Sequence, residues 1–278
     1  VTAIGAGIII AMGKKVNMKG RSLIRDALNV DSGKGMIIFI RDIFMTTVFF
    51  ELVGAMLSYI VFSKDYPPVE ALGISLFHSI AAFNNSGFDI LGNYRSLTGY
   101  YDNFTLNIIT CVLIFFGGIG FLVIRELRIK HFHWKKLSMH SRVVISMSLF
   151  LIVSGTLLIK ATENISWLGA FFLSFSTYPL GNFSSAGLLV VIILMFIGAS
   201  PGSTGGGIKT STFFVLLQGI KSAATNKSEK AFHYAVPKNA FSKAAIITAI
   251  GAAIVLTGTY IMLVLQPELS FIDVFFEV

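Results

Sequence analysis

The stretch Phe77–Ile90, FHSIAAFNNSGFDI, is a short apolar run that stops abruptly in a polar, glycine-bearing loop. Apolar segments long enough to cross a bilayer flank it, Asp42–Phe62 before it and Phe104–Ile124 after it. From Val69 to Phe83 a helix of about 15 residues reaches roughly 22 Å, short of the ~30 Å hydrocarbon core. The pattern predicts a helix that enters the membrane without leaving by the other side. A backbone that turns back at that depth is tolerated only where it is buried in protein or lines a water-filled cavity, because lipid satisfies neither N–H nor C=O groups. Asn84–Asp89 is therefore a candidate pore lining; an interfacial loop of ordinary turn residues is the alternative.

A loop of this kind can serve ions directly, since carbonyls released from helical bonding replace a cation's hydration shell. Gly87 permits the dihedrals that aim carbonyls inward, and the preceding helix would turn its negative end toward the cation. Asn84, Asn85 and Ser86 add neutral dipoles, and Asp89 a charge at the mouth. The run Asn84-Asn85-Ser86 also fits the glycosylation sequon, a pattern too short to carry weight.

Composition places the chain among polytopic membrane proteins: 278 residues, 54% hydrophobic, mean hydropathy +0.77. A net charge of +8 would suit a soluble nucleic-acid binder, but the placement of the charge excludes that class. Seven lysines and arginines fall in Gly13–Arg41, six in Arg125–Arg142 and five in Lys221–Lys243, whereas the alternate connections hold only Lys64, Arg95 and Lys160. This positive-inside bias puts the basic blocks in the cytoplasm and the Asn84 loop outside. Cys111 lies in an apolar span without a partner, so no disulfide framework is implied. Val1 opens within one apolar segment and FIDVFFEV stops within another, so the expectation is a piece of a longer protein.

In chain order, Val1–Met12 reads as the end of a helix, and Met18–Val30 as an amphipathic helix against the membrane, a partner or solvent. Gly117, Gly118 and Gly120 near the end of the Phe104–Ile124 span are read as close helix packing ahead of a hinge. His131, His133 and Trp134 beside Lys135 and Lys136 fit interfacial aromatics and snorkelling cations better than a metal site. Val143–Ile159 then crosses outward, Ile165–Ser174 is a second short apolar run, and Ser184–Ala199 returns. Ala244–Leu265 crosses again and Phe271–Val278 begins a third half-span. Span, half-span, loop, span thus recurs, an internal repeat that supports a pore built from equivalent segments.

The second return is broken. After Ser184–Ala199 comes SPGSTGGGIK, Ser200–Lys209, and apolar residues resume at Phe213. Pro201 removes a donor, and Gly202, Gly205, Gly206 and Gly207 disfavour helix at a depth of roughly mid-membrane, where unwound backbone lines or plugs a cavity. A phosphate-binding loop needs Gly-Lys adjacent, and Ile208 separates Gly207 from Lys209.

The segments FHSIAAFNNSGF (Phe77–Phe88), FFGGIGF (Phe115–Phe121), KKLSMHSR (Lys135–Arg142) and GASPGSTGGGIKTSTF (Gly198–Phe213) resemble the Trk/Ktr/HKT superfamily of cation transporters, and in particular its bacterial TrkH- and KtrB-type membrane subunits. The resemblance runs over essentially the whole chain. It implies an all-α polytopic membrane protein in which repeated M1-P-M2 units (span, pore helix, filter loop, span) surround one potassium pathway. It also implies a filter at Asn84, Asn85, Ser86, Gly87 and Phe88, with potassium held by the carbonyls of Asn85, Ser86 and Gly87. The gating loop would comprise Gly198, Ser200, Pro201, Gly202, Ser203, Thr204, Gly205, Gly206, Gly207 and Lys209. Potassium is then the substrate and no cofactor is expected. A homodimer, a cytoplasmic ring of nucleotide-binding TrkA/KtrA-type regulatory subunits and the lipid bilayer would be the partners, with no nucleic acid, in the bacterial cytoplasmic membrane.

On this reading residues 1–278 form one transmembrane domain. Residues 1–41 hold the end of repeat 1 and a cytoplasmic linker, 42–124 repeat 2, 125–142 a linker, 143–220 repeat 3, 221–243 a linker and 244–278 the start of repeat 4. The chain departs from the family pattern in having no first or fourth filter. It also passes from AFFLS (Ala170–Ser174) straight to FSTYPLGNFSSAG (Phe175–Gly187), so about half a dozen residues with the third filter glycine are expected to be missing there. An ion-coupled secondary transporter with discontinuous helices is the alternative. It needs ionisable residues at mid-depth, and only Glu51 and Lys209 fall within spans. An enzyme is not expected, since His78 stands alone on the pore helix and reads as a packing or capping residue.

Overall fold

The computed structural model describes residues 36–88, 91–92, 97–175, 183–226, 230–232, 234–235 and 239–278. Val1–Met12, Met18–Val30 and Asp89 lie outside them, as do residues 176–182, which follow the Ser174–Phe175 junction where the third filter loop was expected to be missing. Among the described residues the chain is helical apart from the antiparallel two-residue strands β1 (Lys230–Ala231) and β2 (Tyr234–Ala235). Among the described residues three helices are long and apolar enough to cross a membrane: Ile38–Phe62, Met139–Thr162 and Ala240–Leu265. The chain divides into two compact units, 1–133 with 201–205, and 134–200 with 206–278.

In the first unit, helix α1 (Met36–Phe62) packs against α2 (Pro68–Phe83) and α3 (Phe104–Gly118). Pro67 and Pro68 start α2, since a proline at the first helical position loses no helical hydrogen bond. Asn103 caps α3 by accepting a bond from Leu106 N–H at 3.0 Å. Val61, Phe62, Ala71, Ile74 and Leu106 form one core at the end of the unit where α1 passes into α2. Phe83, Ile109 and Leu113 form another around the end of α2, with Phe50, Phe116 and Phe121 against them. At 16 residues α2 is shorter than a span, as the sequence led us to expect. The exposed side of α1 is apolar: Met56 is 72% exposed and Phe49 61%.

The expected single span Phe104–Ile124 is corrected. Helix α3 stops at Gly118 and α4 (Phe121–Ile129) leaves at 97° to it. Gly120 sits at the corner with φ 90° and ψ 141°, a conformation that essentially only glycine adopts. The glycines therefore serve both as a packing surface and as the corner of the bend. The basic end of α4 is tied back to α1, where Asp42 meets Arg125 at 3.2 Å and Arg128 at 3.3 Å.

The second unit repeats the order long helix, short helix, helix. Helix α5 (Met139–Thr162) packs on α6 (Trp167–Leu173) and α7 (Ser185–Phe196), and each of the three starts at a serine that caps it: Ser138, Ser166 and Ser184. Ile159, Ala170, Leu173 and Val191 make the core there. Helix α8 (Thr210–Thr225) packs on α5 and on α9 (Ala240–Leu265), and α10 (Phe271–Glu277) packs on α9 and α7.

Candidate functional site

The end of α2 decides which carbonyls are free for an ion. Asn84 caps the helix and Asn85 follows with φ 51°, in the left-handed region that asparagine tolerates better than most residues. Ser86 N–H donates to Ala81 O at 3.0 Å and Asn85 N–H to Ala82 O at 3.1 Å, the paired bonds of a Schellman motif. Asn84 N–H and its Nδ2 donate to Ile80 O at 3.0 and 2.9 Å. The Thr204 hydroxyl donates to Phe83 O at 2.9 Å. Each of the last four carbonyls of α2, from Ile80 to Phe83, therefore has a protein donor. Carbonyls available to a cation begin beyond the helix: among the described residues those of Asn85, Ser86 and Gly87 accept no backbone hydrogen bond. Gly87 is left-handed at φ 69° with open space where a Cβ would stand, so its requirement is conformational and not steric. Phe88 is 71% exposed.

The two asparagines reach in different directions. Asn84 Nδ2 donates to Glu51 Oε1 on α1 at 2.8 Å, and Asn85 Nδ2 donates to Thr204 Oγ1 at 2.8 Å. Thr204 belongs to the Pro201–Gly205 tip, which sits with the first unit. Its N–H donates to Gly117 O at 3.1 Å, and Phe121 N–H donates to Gly202 O at 3.1 Å. Glycine is what admits this contact, since a Cβ on Gly117 would strike the Phe83 carbonyl and one on Gly120 would strike the Pro201 carbonyl. Ser203 Oγ is buried with no hydrogen-bond partner among the described residues.

The flanks of the same loop pair with each other in the second unit. Ala199 N–H donates to Gly206 O at 3.0 Å, Ile208 N–H to Phe196 O at 3.0 Å and Thr210 N–H to Ala199 O at 3.3 Å. Ser200, fully buried, shares a 2.9 Å hydrogen bond with Thr210. Gly207 takes φ 73° where it crosses Gly198, and neither position has room for a Cβ. Lys209 leads into α8 as its N-terminal cap residue. The unwound segment is thus a hydrogen-bonded neck carrying a five-residue tip. Of the residues expected to form the filter and the loop, Asn85 and Thr204 are in direct contact. The contributions of Glu51, Gly117, Gly120 and the Phe83 carbonyl went unrecognised in the sequence, although Glu51 is the one charge between Asp42 and Lys64.

His78 is a buried residue of the core and stands apart from this turn. The Thr110 hydroxyl donates to Leu106 O at 2.8 Å, so the 3.1 Å contact to His78 Nε2 has the imidazole as donor. In the connection before α3 the Tyr100 hydroxyl donates to Asp65 at 2.8 Å; burial, then that carboxylate, pushes its pKa up and keeps it a donor. Cys111 is a buried free thiol.

A long apolar helix, a short helix that halts in a left-handed polar turn and a return helix bent at glycine, with two further apolar spans, define an all-helical multi-pass membrane protein. The profile of the TrkH family, described as cation transport protein, matches residues 35–174 and 174–278, and the chain belongs to that family. The match divides at Ser174, where the third filter loop was expected to be absent. The chain is 32% identical over 222 residues to the potassium/sodium uptake protein NtpJ of Enterococcus hirae, covering 73% of this chain and 49% of the relative. It is 28% identical to the Ktr system potassium uptake protein B of Bacillus subtilis, over 97% of this chain and 64% of that protein. The chain thus spans between about half and two thirds of these relatives. The crystal structure of the potassium transporter TrkH from Vibrio parahaemolyticus shares the fold, with a TM-score of 0.69 at 16% identity over 99% of this chain and 59% of that one.

Proposed function

We propose that this chain is the central part of a potassium-uptake subunit of the Trk/Ktr type in a bacterial cytoplasmic membrane. The carbonyls of Asn85, Ser86 and Gly87 provide one quarter of the filter, and Gly198–Lys209 is the gating loop. The observation that carries this reading is the set of bonds around Thr204, which ties the loop tip to the first turn of the filter strand. A loop with that many polar groups at membrane depth persists only if each meets protein or water. Here the tip meets the helix end that would otherwise offer Phe83 O to the pathway, so moving the loop changes the filter's base. The names of the relatives, potassium/sodium uptake and Ktr system potassium uptake, supply the substrate class.

The word system in those names also suits a subunit that works with others. We take these to be a second copy of the subunit and a cytoplasmic nucleotide-binding ring docked on the basic connections. No cofactor enters the reading, and potassium is the cargo. The test is to shorten the loop across Gly202–Gly206 in the full-length protein. A gate so shortened gives faster permeation that depends less on the regulatory partner. Loss of assembly and flux together would mark the loop as a packing kink and end the gate reading.

A further inference from the structure

We propose that Glu51 is a positioning residue for the filter, its carboxyl oxygen fixing the residue from which the backbone leaves the pore helix. The inference rests on the reading of Asn85–Gly87 as filter strand.

Glu51 is the only charged residue between Asp42 and Lys64, and it lies near the middle of the Ile38–Phe62 span. An ionisable side chain at that depth is expensive, and its partner indicates its role. That partner is Asn84, whose Nδ2 donates to Glu51 Oε1 at 2.8 Å. The other proton of the same amide goes to Ile80 O at 2.9 Å, so both donors of Nδ2 are used and the side chain has one orientation that satisfies them. The main chain of Glu51 contributes as well, its carbonyl accepting from the Ser79 hydroxyl at 2.7 Å. Three residues on, Gly54 has no room for a Cβ against Ser79 and Leu113. Helix α1 therefore meets α2 closely at Ser79 and again at Asn84, where α2 ends.

The position of that second contact matters. Asn84 is the cap residue, and the left-handed step at Asn85 follows it directly. A change in the setting of Asn84 rotates the peptide planes of Asn85, Ser86 and Gly87 together. On the far side Asn85 is held by Thr204, which belongs to the proposed gating loop. The Asn84 bond runs to a long membrane-spanning helix, so it provides the fixed reference that the loop cannot. What the geometry uses is an acceptor oxygen, and glutamine has the same oxygen at the same reach.

The experiment uses the full-length transporter in proteoliposomes with its regulatory subunit, measuring the potassium-to-sodium uptake ratio together with thermal unfolding. Glu51→Ala is expected to lower the ratio about fivefold, equivalent to about 1 kcal/mol at 1.4 kcal/mol per tenfold. Glu51→Gln is expected to keep the ratio, and Asn84→Ala to reproduce the loss. Should Glu51→Ala fail to fold, Asn84→Ala removes the same bond from a half-exposed side chain and decides the matter. An unchanged ratio in Asn84→Ala, or Glu51→Gln as damaging as Glu51→Ala, overturns the proposal. Gly87→Ser is the control for the underlying reading. If it shifts the ratio while the Glu51 and Asn84 variants do not, only the positioning role falls; if it shifts nothing, the filter assignment falls with it.

Discussion

The hydroxyl of Thr204 lies 2.9 Å from the carbonyl oxygen of Phe83, a residue 121 positions earlier in the chain, and is a closer donor to it than Asn85 Nδ2, which stands at 3.4 Å. The Thr204 hydroxyl oxygen in turn accepts from Asn85 Nδ2 at 2.8 Å. Thr204→Val keeps the shape of the side chain and removes the short bonds of both partners, leaving them only their 3.4 Å contact with each other, at a cost of about 1–3 kcal/mol when such groups stay buried. We expect this variant to unfold at lower temperature in detergent and to pass ions with less need of its regulatory partner. Thr204→Ser, which keeps the hydroxyl, is expected to behave as the unsubstituted protein in both assays. A valine variant with unaltered regulation would mean that the tip is not part of the gate.

A second expectation concerns Gly117, whose missing Cβ makes room for the Phe83 carbonyl and whose own carbonyl takes the Thr204 amide. Backbone cannot yield as a flexible side chain does, so Gly117→Ala separates α3 from the end of α2. Overpacking of this kind costs about 1–3 kcal/mol. The thermal midpoint of the purified protein is the readout, and Gly73→Ala, at a position with open space, is the matched control.

Gly87 tests conformation alone. A Cβ there meets nothing within 4 Å, but φ 69° is strained for any other residue than glycine or, more mildly, asparagine. Gly87→Ser should leave assembly intact and weaken the preference for potassium over sodium. Gly87→Asn is expected to fall between serine and glycine. Equal uptake ratios across the three folded proteins would remove Gly87 from the filter.

Much of the helical order was legible because the bilayer imposes length: spans near Asp42–Phe62, Val143–Ile159 and Ala244–Leu265 and the short α2 follow from apolar run length alone. The unwound stretch between Phe196 and Thr210 was legible from Pro201 and four glycines, although the helix before it ends at Phe196 and not at the expected Ala199. The bend at Gly120 was not, because Phe104–Ile124 is apolar throughout and hydropathy does not register a positive φ. Nor was the partnership of Asn85 with Thr204, since nothing local to either residue encodes a contact between positions so far apart. The Schellman turn at Asn85 lay between the two cases. Its asparagine and the later glycine signalled a turn, but not that the turn would occupy the carbonyls of Ala81 and Ala82 and leave those beyond it.

The contact between Asn85 and Thr204 can be measured apart from the backbone strain around it. Asn85 has φ 51°, so Asn85→Ala would add strain to the loss of its side chain. Asn85→Gly accepts that φ without penalty and removes only the amide that donates to Thr204 Oγ1 at 2.8 Å. Combined with Thr204→Val it gives a double-mutant cycle in which each single change deletes the same bond. Residues in direct contact typically couple by about 0.5–3 kcal/mol, whereas independent sites add within about 0.5 kcal/mol. We expect the double variant to be less destabilised than the sum of the singles. The same non-additivity should appear in the flux measured without the regulatory partner, because one bond holds both the filter's first turn and the loop tip. Strict additivity in unfolding free energy would show that Asn85 and Thr204 act separately, and the filter and the loop would then have to communicate by another route.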